Sequence, residues 1–424
     1  MDDRHLAHGR ASALSPLRRD LVPQDRPVGG PRWADILRGL RTSIFFLSLA
    51  AFASAASLRV TDALLPRLAA DFHVGLAHAA AVVTGFAVAY GVLQVFFGPL
   101  GDRFGKLRVI GYATGAAALA SATCYLAPGF NGLLVGRILA GASCSCIIPL
   151  SMAWIGDVVP YEDRQPVLAR FLLGQILGIA SGTAVGGFAA EVEPWRWPFA
   201  AIAAWFAVCA VLIARAAAGE KVEQRQHHGH FSSDALRVLA VPWARVVVLV
   251  VFTEGIVVFG ALAFIPTHLH FKRGLELAVA GLALVPYSLG GASFALLARH
   301  LVRRFGEVTL ARAGALLLAA GLALIAWAPH LAIAMLGCFV AGAGFYSLHN
   351  TLQTNATQMS PERRGAAVTL FASLFFLGQS IGVAIAGVLV ERAGTSAVLL
   401  GAGLAVIPVG FTFAHLRAAR LRQD

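Results

Sequence analysis

Long apolar runs dominate this chain, and its polar residues fall in short intervals between them. Twelve runs reach the roughly 17–25 residues that a membrane-crossing helix needs. They lie near 42–66, 77–98, 108–127, 132–155, 166–190, 197–216, 244–266, 276–298, 308–328, 331–356, 366–390 and 396–416. Ten-residue stretches of alternating hydrophobicity, the mark of a membrane barrel, are absent. Residues 1–41 are polar and Arg-rich, with Pro and Gly and no apolar core. They read as a disordered cytoplasmic tail rather than a cleavable signal.

The same runs repeat at an offset of about 200. Leu64-Leu65-Pro66 matches Phe264-Ile265-Pro266, and Gly91 matches Gly291. Arg103-Phe104-Gly105 matches Arg304-Phe305-Gly306. Gly136, Ala140 and Gly141 match Gly337, Ala341 and Gly342. Gly174-Gln175 with Gly178 matches Gly378-Gln379 with Gly382. Five anchors in one order predict two related halves, as in transporters built from parallel repeats. The expected fold is an all-α membrane protein of 12 transmembrane helices in two pseudo-symmetric six-helix bundles. Residues 42–216 form the first bundle, 217–243 a cytoplasmic linker, 244–416 the second bundle and 417–424 a cytoplasmic tail.

Composition agrees with this pattern. Hydrophobic residues make up 58% of the 424 and charged residues only 13%, against about 25% in ordinary globular chains. The net charge of +12 raises the question of nucleic acid, but its placement answers it. Of the 34 Lys and Arg, 27 fall in the tails and even-numbered loops. Only Arg67, Arg196, Lys272, Arg273 and Arg392 fall in odd-numbered loops, and Arg59 and Arg137 lie inside runs. This is the positive-inside bias, which puts both termini in the cytoplasm. No nucleic-acid partner is expected. Cys124, Cys144, Cys146, Cys209 and Cys338 lie inside runs without disulfide or metal spacing. His227, His228 and His230 in the linker can bind a metal or form a solvated loop; the solvated loop is the reading adopted, with no metal site expected. Trp195 and Trp197 look like an interfacial aromatic belt.

The loop Gly98-Pro99-Leu100-Gly101-Asp102-Arg103-Phe104-Gly105-Lys106 carries the most information. It resembles the loop between helices 2 and 3 of the major facilitator superfamily of secondary transporters, commonly written G-x-L-a-D-r-x-G-r-k. Gly98, Leu100, Asp102, Arg103, Gly105 and Lys106 match, while Leu107 stands where a base is usual, with Arg108 next. The resemblance implies a cytoplasmic gate. Asp102 would sit at a helix N-terminus of the other half, and Arg103 or Arg108 would pair with Asp157. The plainer alternative is a positive-inside anchor.

Further elements extend the likeness. Arg137 with Gly141 resembles the family's R-x-x-x-G, whose arginine is linked to proton transfer. Gly178, Gly182, Gly186 and Gly187 resemble the G-x-x-x-G-P-x-x-G-G of twelve-span drug:proton antiporters, with Thr183 in place of the proline. Spaced glycines also mean tight helix packing. Asp62, four residues before Pro66, resembles the acid of the same branch. Arg59, three residues earlier, can reach it, which would make Asp62 a gate instead of a proton carrier.

Glu254 is a lone carboxylate in mid-span, by default functional. It can take up and release a proton, or be held ionised by Arg137. Tyr346, His349, Asn350 and Gln353 share one helical face, and Ser54, Ser57 and Thr61 form a polar stripe expected to line a cavity. Phosphate-loop, H-E-x-x-H and G-x-S-x-G motifs are absent, so no enzyme and no cofactor is expected. The resemblance implies a monomer of a bacterial inner membrane. It implies alternating-access export of a small organic compound driven by the proton gradient. The alternative is uptake of a metabolite with Glu254 as symport site. A membrane sensor or scaffold would gain nothing from mid-membrane charges.

Overall fold

The computed structural model describes residues 33–218 and 231–422. All regular structure among them is helical, as a chain in hydrocarbon requires: there each backbone N–H and C=O must find its partner within the protein. Among the described residues, eleven helical stretches are long and apolar enough to cross a membrane. One of them, Leu277–Trp327, runs for 51 residues and contains a break at Gly306, whose φ of 74° and ψ of 162° are not helical. Most element ends fall within a few residues of those expected.

Three ends differ. The first helix runs Trp33–Arg59, so 33–41 is helical where a disordered tail was expected. The segment Trp-Ala-Asp-Ile-Leu-Arg is rich in helix formers, and Pro31 lies just ahead of it. Part of the linker is also helical, at Phe231–Ala240, and the last helix, Thr395–Arg420, extends into the expected tail. Most of the tail and the linker histidines His227, His228 and His230 lie outside the described residues. The chain divides after Thr42, and residues 43–424 form one compact unit.

The repeat is visible in the backbone. Gly105 joins Ala81–Phe104 to Lys106–Leu126 with φ 90°, and Gly306 makes the matching turn with φ 74°. Only glycine adopts such a φ without strain. Pro66 and Pro266 each lie in the first turn of a short helix, Leu65–Asp71 and Ile265–Arg273, where a missing N–H removes no bond.

Small residues set the helix spacing. Gly174, Gly178, Gly182 and Gly186 of the Tyr161–Ala190 helix lie against the carbonyls of Ser48, Phe52 and Ala56 on the first helix and of Val60 just past its end. A Cβ at any of the four would collide with that backbone. In the second half Gly378 and Gly382 lie in the same way against Phe252 and Ile256. Gly187 packs on Leu277 and Gly281, and so joins the two halves of the chain near Glu191, whose Oε1 accepts a 2.5 Å hydrogen bond from the Leu277 N–H. The Ala77 N–H reaches Glu391 Oε1 at 2.9 Å at the same end.

Gly182→Leu should lower the melting temperature of the purified protein, because overpacking costs about 1–3 kcal/mol. Gly401→Leu, where a Cβ meets nothing, should leave it unchanged. Equal melting curves for both would show that the close approach carries no stability.

Candidate functional site

Two acid pairs and an aromatic cluster form the centre of the molecule. Glu254 ends the Pro242–Glu254 helix and is followed by a π-helical turn, Gly255–Phe259. Such turns recur at functional sites. Its side chain is 0% exposed, and Oε2 lies 2.8 Å from His349 Nδ1. The other oxygen, Oε1, has no hydrogen-bond partner among the described residues. His349 is 15% exposed, whereas the acid it holds is fully buried. The partner of Glu254 is therefore this histidine, not Arg137.

Rings hold the histidine in place. Phe345 stacks on it at 5.0 Å, Phe375 lies at 4.6 Å and Phe371 at 5.5 Å. Phe259 meets Phe345 and Phe375 edge to face at 5.4 and 5.2 Å, and carries the Arg59 guanidinium over its ring at 4.5 Å. Arg59 in turn pairs with Asp62 at 3.2 Å, both buried. The aromatic cluster thus lies between a Glu–His pair and an Arg–Asp pair. Of the proposed polar face, Tyr346 packs over Gly291, Asn350 is half-buried and Gln353 is exposed.

Arg137 has a different setting. Its Nη1 donates to the Ser57 carbonyl at 2.8 Å and reaches Ser57 Oγ at 3.4 Å. Nη2 reaches Thr61 Oγ1 and Nε the Val82 carbonyl, both at 3.4 Å. The guanidinium lies 4.3 Å over Phe86. Gly141 allows this contact by letting its helix touch the Phe86 backbone. Ser57 and Thr61 therefore serve as acceptors for Arg137 instead of lining a cavity, and Ser54 is buried beside Cys144.

The charged loop also corrects the expectation. Lys106 bridges Asp157 at 2.6 Å and Asp102 at 3.1 Å. Arg103 instead lies over its neighbour Phe104 at 5.1 Å. Arg108 is exposed and has no ion-pair partner among the described residues. The reason is the Gly105 turn: it starts a new helix at Lys106, so Lys106 sits one turn from Asp102 and faces Asp157. Gly101 contributes by seating the loop on Leu150, while Gly98 lies in open space. Trp195, expected in an interfacial belt, is fully buried. Its Nε1 donates to Asp71, which also pairs with Arg67 at 2.9 Å.

Several residues of the centre escaped the sequence reading. Tyr287, Gln94, Ser373 and Gln379 are buried with side-chain polar atoms that lack partners among the described residues, and for Gln379 this holds for both amide atoms. Buried polar atoms are nearly always satisfied, so these exceptions are side chains with hydrogen-bonding capacity to spare for a solute or water. A signal was present: Gln379 belongs to a repeat anchor, and an amide in mid-span points by default to function.

Replacing Arg137 by Met should cost about 1–3 kcal/mol for each acceptor left unmet, read as a lower melting temperature. Arg137→Lys should recover little, since one ammonium cannot span the Ser57, Thr61 and Val82 acceptors. An unaltered melt for Arg137→Met would show that the arginine is not a structural staple.

The family model of the Major Facilitator Superfamily matches residues 47–383. The chain is 26% identical over 402 residues to the uncharacterized MFS-type transporter YwfA of Bacillus subtilis, covering 89% of this chain and 93% of that one. It is 24% identical over 417 residues to the putative multidrug resistance protein MdtD of Cronobacter sakazakii, covering 85% and 88%. Among solved structures, the nucleoside transporter NupG superposes with a TM-score of 0.73 at 15% identity, over 88% of this chain and 98% of that one.

Proposed function

Because the chain belongs to the Major Facilitator Superfamily, we propose that it exports small organic compounds across a bacterial inner membrane in exchange for protons, by alternating access. It is a multi-pass membrane transporter and not an enzyme; a small solute and the lipid bilayer are its partners. In this reading the chain crosses the membrane twelve times, with Gly306 dividing the 51-residue stretch into two spans. Two six-helix bundles rock about a central site, both termini are cytoplasmic, and the protein acts as a monomer. The proton gradient is the energy source and no cofactor takes part.

The observation that carries the reading is the Glu254–His349 pair. A proton-coupled carrier needs an acid that is buried yet reachable by protons. Glu254 is fully enclosed, its one hydrogen-bond partner is a titratable ring, and that ring is partly exposed. His349 can pass a proton to Oε2, while Oε1, buried without a partner among the described residues, would meet a solute when the halves rock open. Competition between proton and solute for one carboxylate is the simplest form of exchange. Export is supported by the name of the MdtD relative and by the likeness of Gly178–Gly187 to drug:proton antiporters. Asp62, already paired with Arg59, serves as a gate.

Everted vesicles from overexpressing cells should build a pH gradient and lose part of it when a transported compound is added. Glu254→Gln should abolish that response and weaken binding of the compound, while the purified protein keeps its melting temperature. Coupling that survives in Glu254→Gln would move the proton to Asp62, and accumulation by intact cells would reverse the direction.

A further inference from the structure

The lipid-facing side of the Lys106–Leu126 helix carries two apolar grooves, one on each side of Tyr112. The first, about 580 Å3, is walled by Leu93, Phe97, Leu100 and Phe104, which follow one face of the Ala81–Phe104 helix. The second, about 490 Å3, lies against Ala210, Ala214 and Ala218 of the neighbouring helix. It exists because Gly111 and Gly115 leave no side chain to fill it. Both grooves are lined at one end by the same two residues, Arg108 and Tyr112. Tyr112 is 80% exposed and stands as a ridge between them.

Arg108 lies in the first turn of its helix, at the membrane boundary, beside the Asp102–Lys106–Asp157 bridge. It is one helical turn, about 6 Å, from Tyr112 on the same face. Arg215, in the last turn of the Trp197–Ala217 helix, is exposed and follows the groove residue Ala214 in the chain. No acidic side chain lines either groove.

We propose that this surface holds one diacyl phospholipid with an anionic headgroup, astride Tyr112. Two chains meet two grooves, and the phosphate meets the Arg108 guanidinium, whose fork suits it. The Tyr112 hydroxyl lies at the depth of the glycerol esters, where tyrosine is favoured. Charge complementarity selects this occupant. A second copy seated through these same grooves would bring no acidic side chain to Arg108, since none lines them. The proposal is independent of the direction and coupling of transport.

The test uses full-length purified protein and native mass spectrometry, with equal amounts of phosphatidylglycerol and phosphatidylcholine. Wild type should retain phosphatidylglycerol preferentially. Arg108→Gln should reduce that preference about fivefold, as about 1 kcal/mol per cation implies, and Arg108→Lys should keep most of it. Arg299→Gln, an exposed arginine elsewhere, should not change it. Gly115→Leu, which fills the second groove, should weaken diacyl phosphatidylglycerol without weakening its one-chain lyso form. Equal retention of the two headgroups, or equal effects of Arg108→Gln and Arg299→Gln, would overturn the proposal. So would a dimer that Gly115→Leu abolishes, which would assign the grooves to a second copy.

Discussion

The close approach of backbone to backbone along Gly174, Gly178, Gly182 and Gly186 is the constraint on which the rest of the structure depends. In hydrocarbon the hydrophobic effect does not press helices together, so contact must come from dispersion and fit. Glycine at every fourth position puts the carbonyls of Ser48, Phe52, Ala56 and Val60 directly against the facing helix. That contact fixes the first helix along most of its length. The Arg137 anchor to Ser57 and the Arg59–Asp62 pair lie on this same helix or at its end. Their geometry is inherited from the glycine face. The second half applies the same device with Gly378 and Gly382, and these seat the helix that carries Glu254.

With the helices placed, each mid-membrane charge has a separate local solution. Arg137 is spread over backbone and hydroxyl acceptors, Arg59 faces Asp62, and Glu254 faces a histidine. The rings of Phe259, Phe345 and Phe375 stand between the latter two pairs. In the proposed exchange, this low-dielectric layer would separate the pair that takes up a proton from the pair that serves as a gate. The loop at Gly105 obeys the same logic nearer to water, where one lysine is shared by two carboxylates.

Much of this was legible in the residues themselves. Apolar length marks a span because the bilayer has one thickness, and the offset of about 200 was visible because the turn glycines Gly105 and Gly306 and the packing glycines cannot be exchanged freely. Glu254 stood out because a carboxylate in hydrocarbon is costly. Pairings were harder. His349 lies 95 positions from Glu254, and nothing local connects them. Lys106 displaced Arg103 and Arg108 as the partner of Asp157 because a positive φ at Gly105 resets the helix phase, which a residue count across the loop does not register. Trp195 resembled a belt residue because burial of its indole depends on Asp71, at the end of the distant Leu65–Asp71 helix. The phenylalanines of the centre could not be told from those facing lipid, since the chain has 27 of them and both settings are apolar.

The π-helical turn at Gly255–Phe259 has an effect beyond its own five residues. Such a turn closes its hydrogen bonds one residue later than an α-helix, so it inserts a single extra position into the angular count. Residues before and after it are offset by about 100° from where an unbroken helix would put them, given 3.6 residues per turn. Phe259 is five positions from Glu254. An uninterrupted helix would turn it well away from the acid, onto a different flank. In this chain it meets Phe345 and Phe375, the same rings that hold His349. One surplus residue thus brings a cation platform and a proton acceptor round to a common bearing, and a deletion of one residue in this turn would part them while leaving the hydropathy profile unchanged.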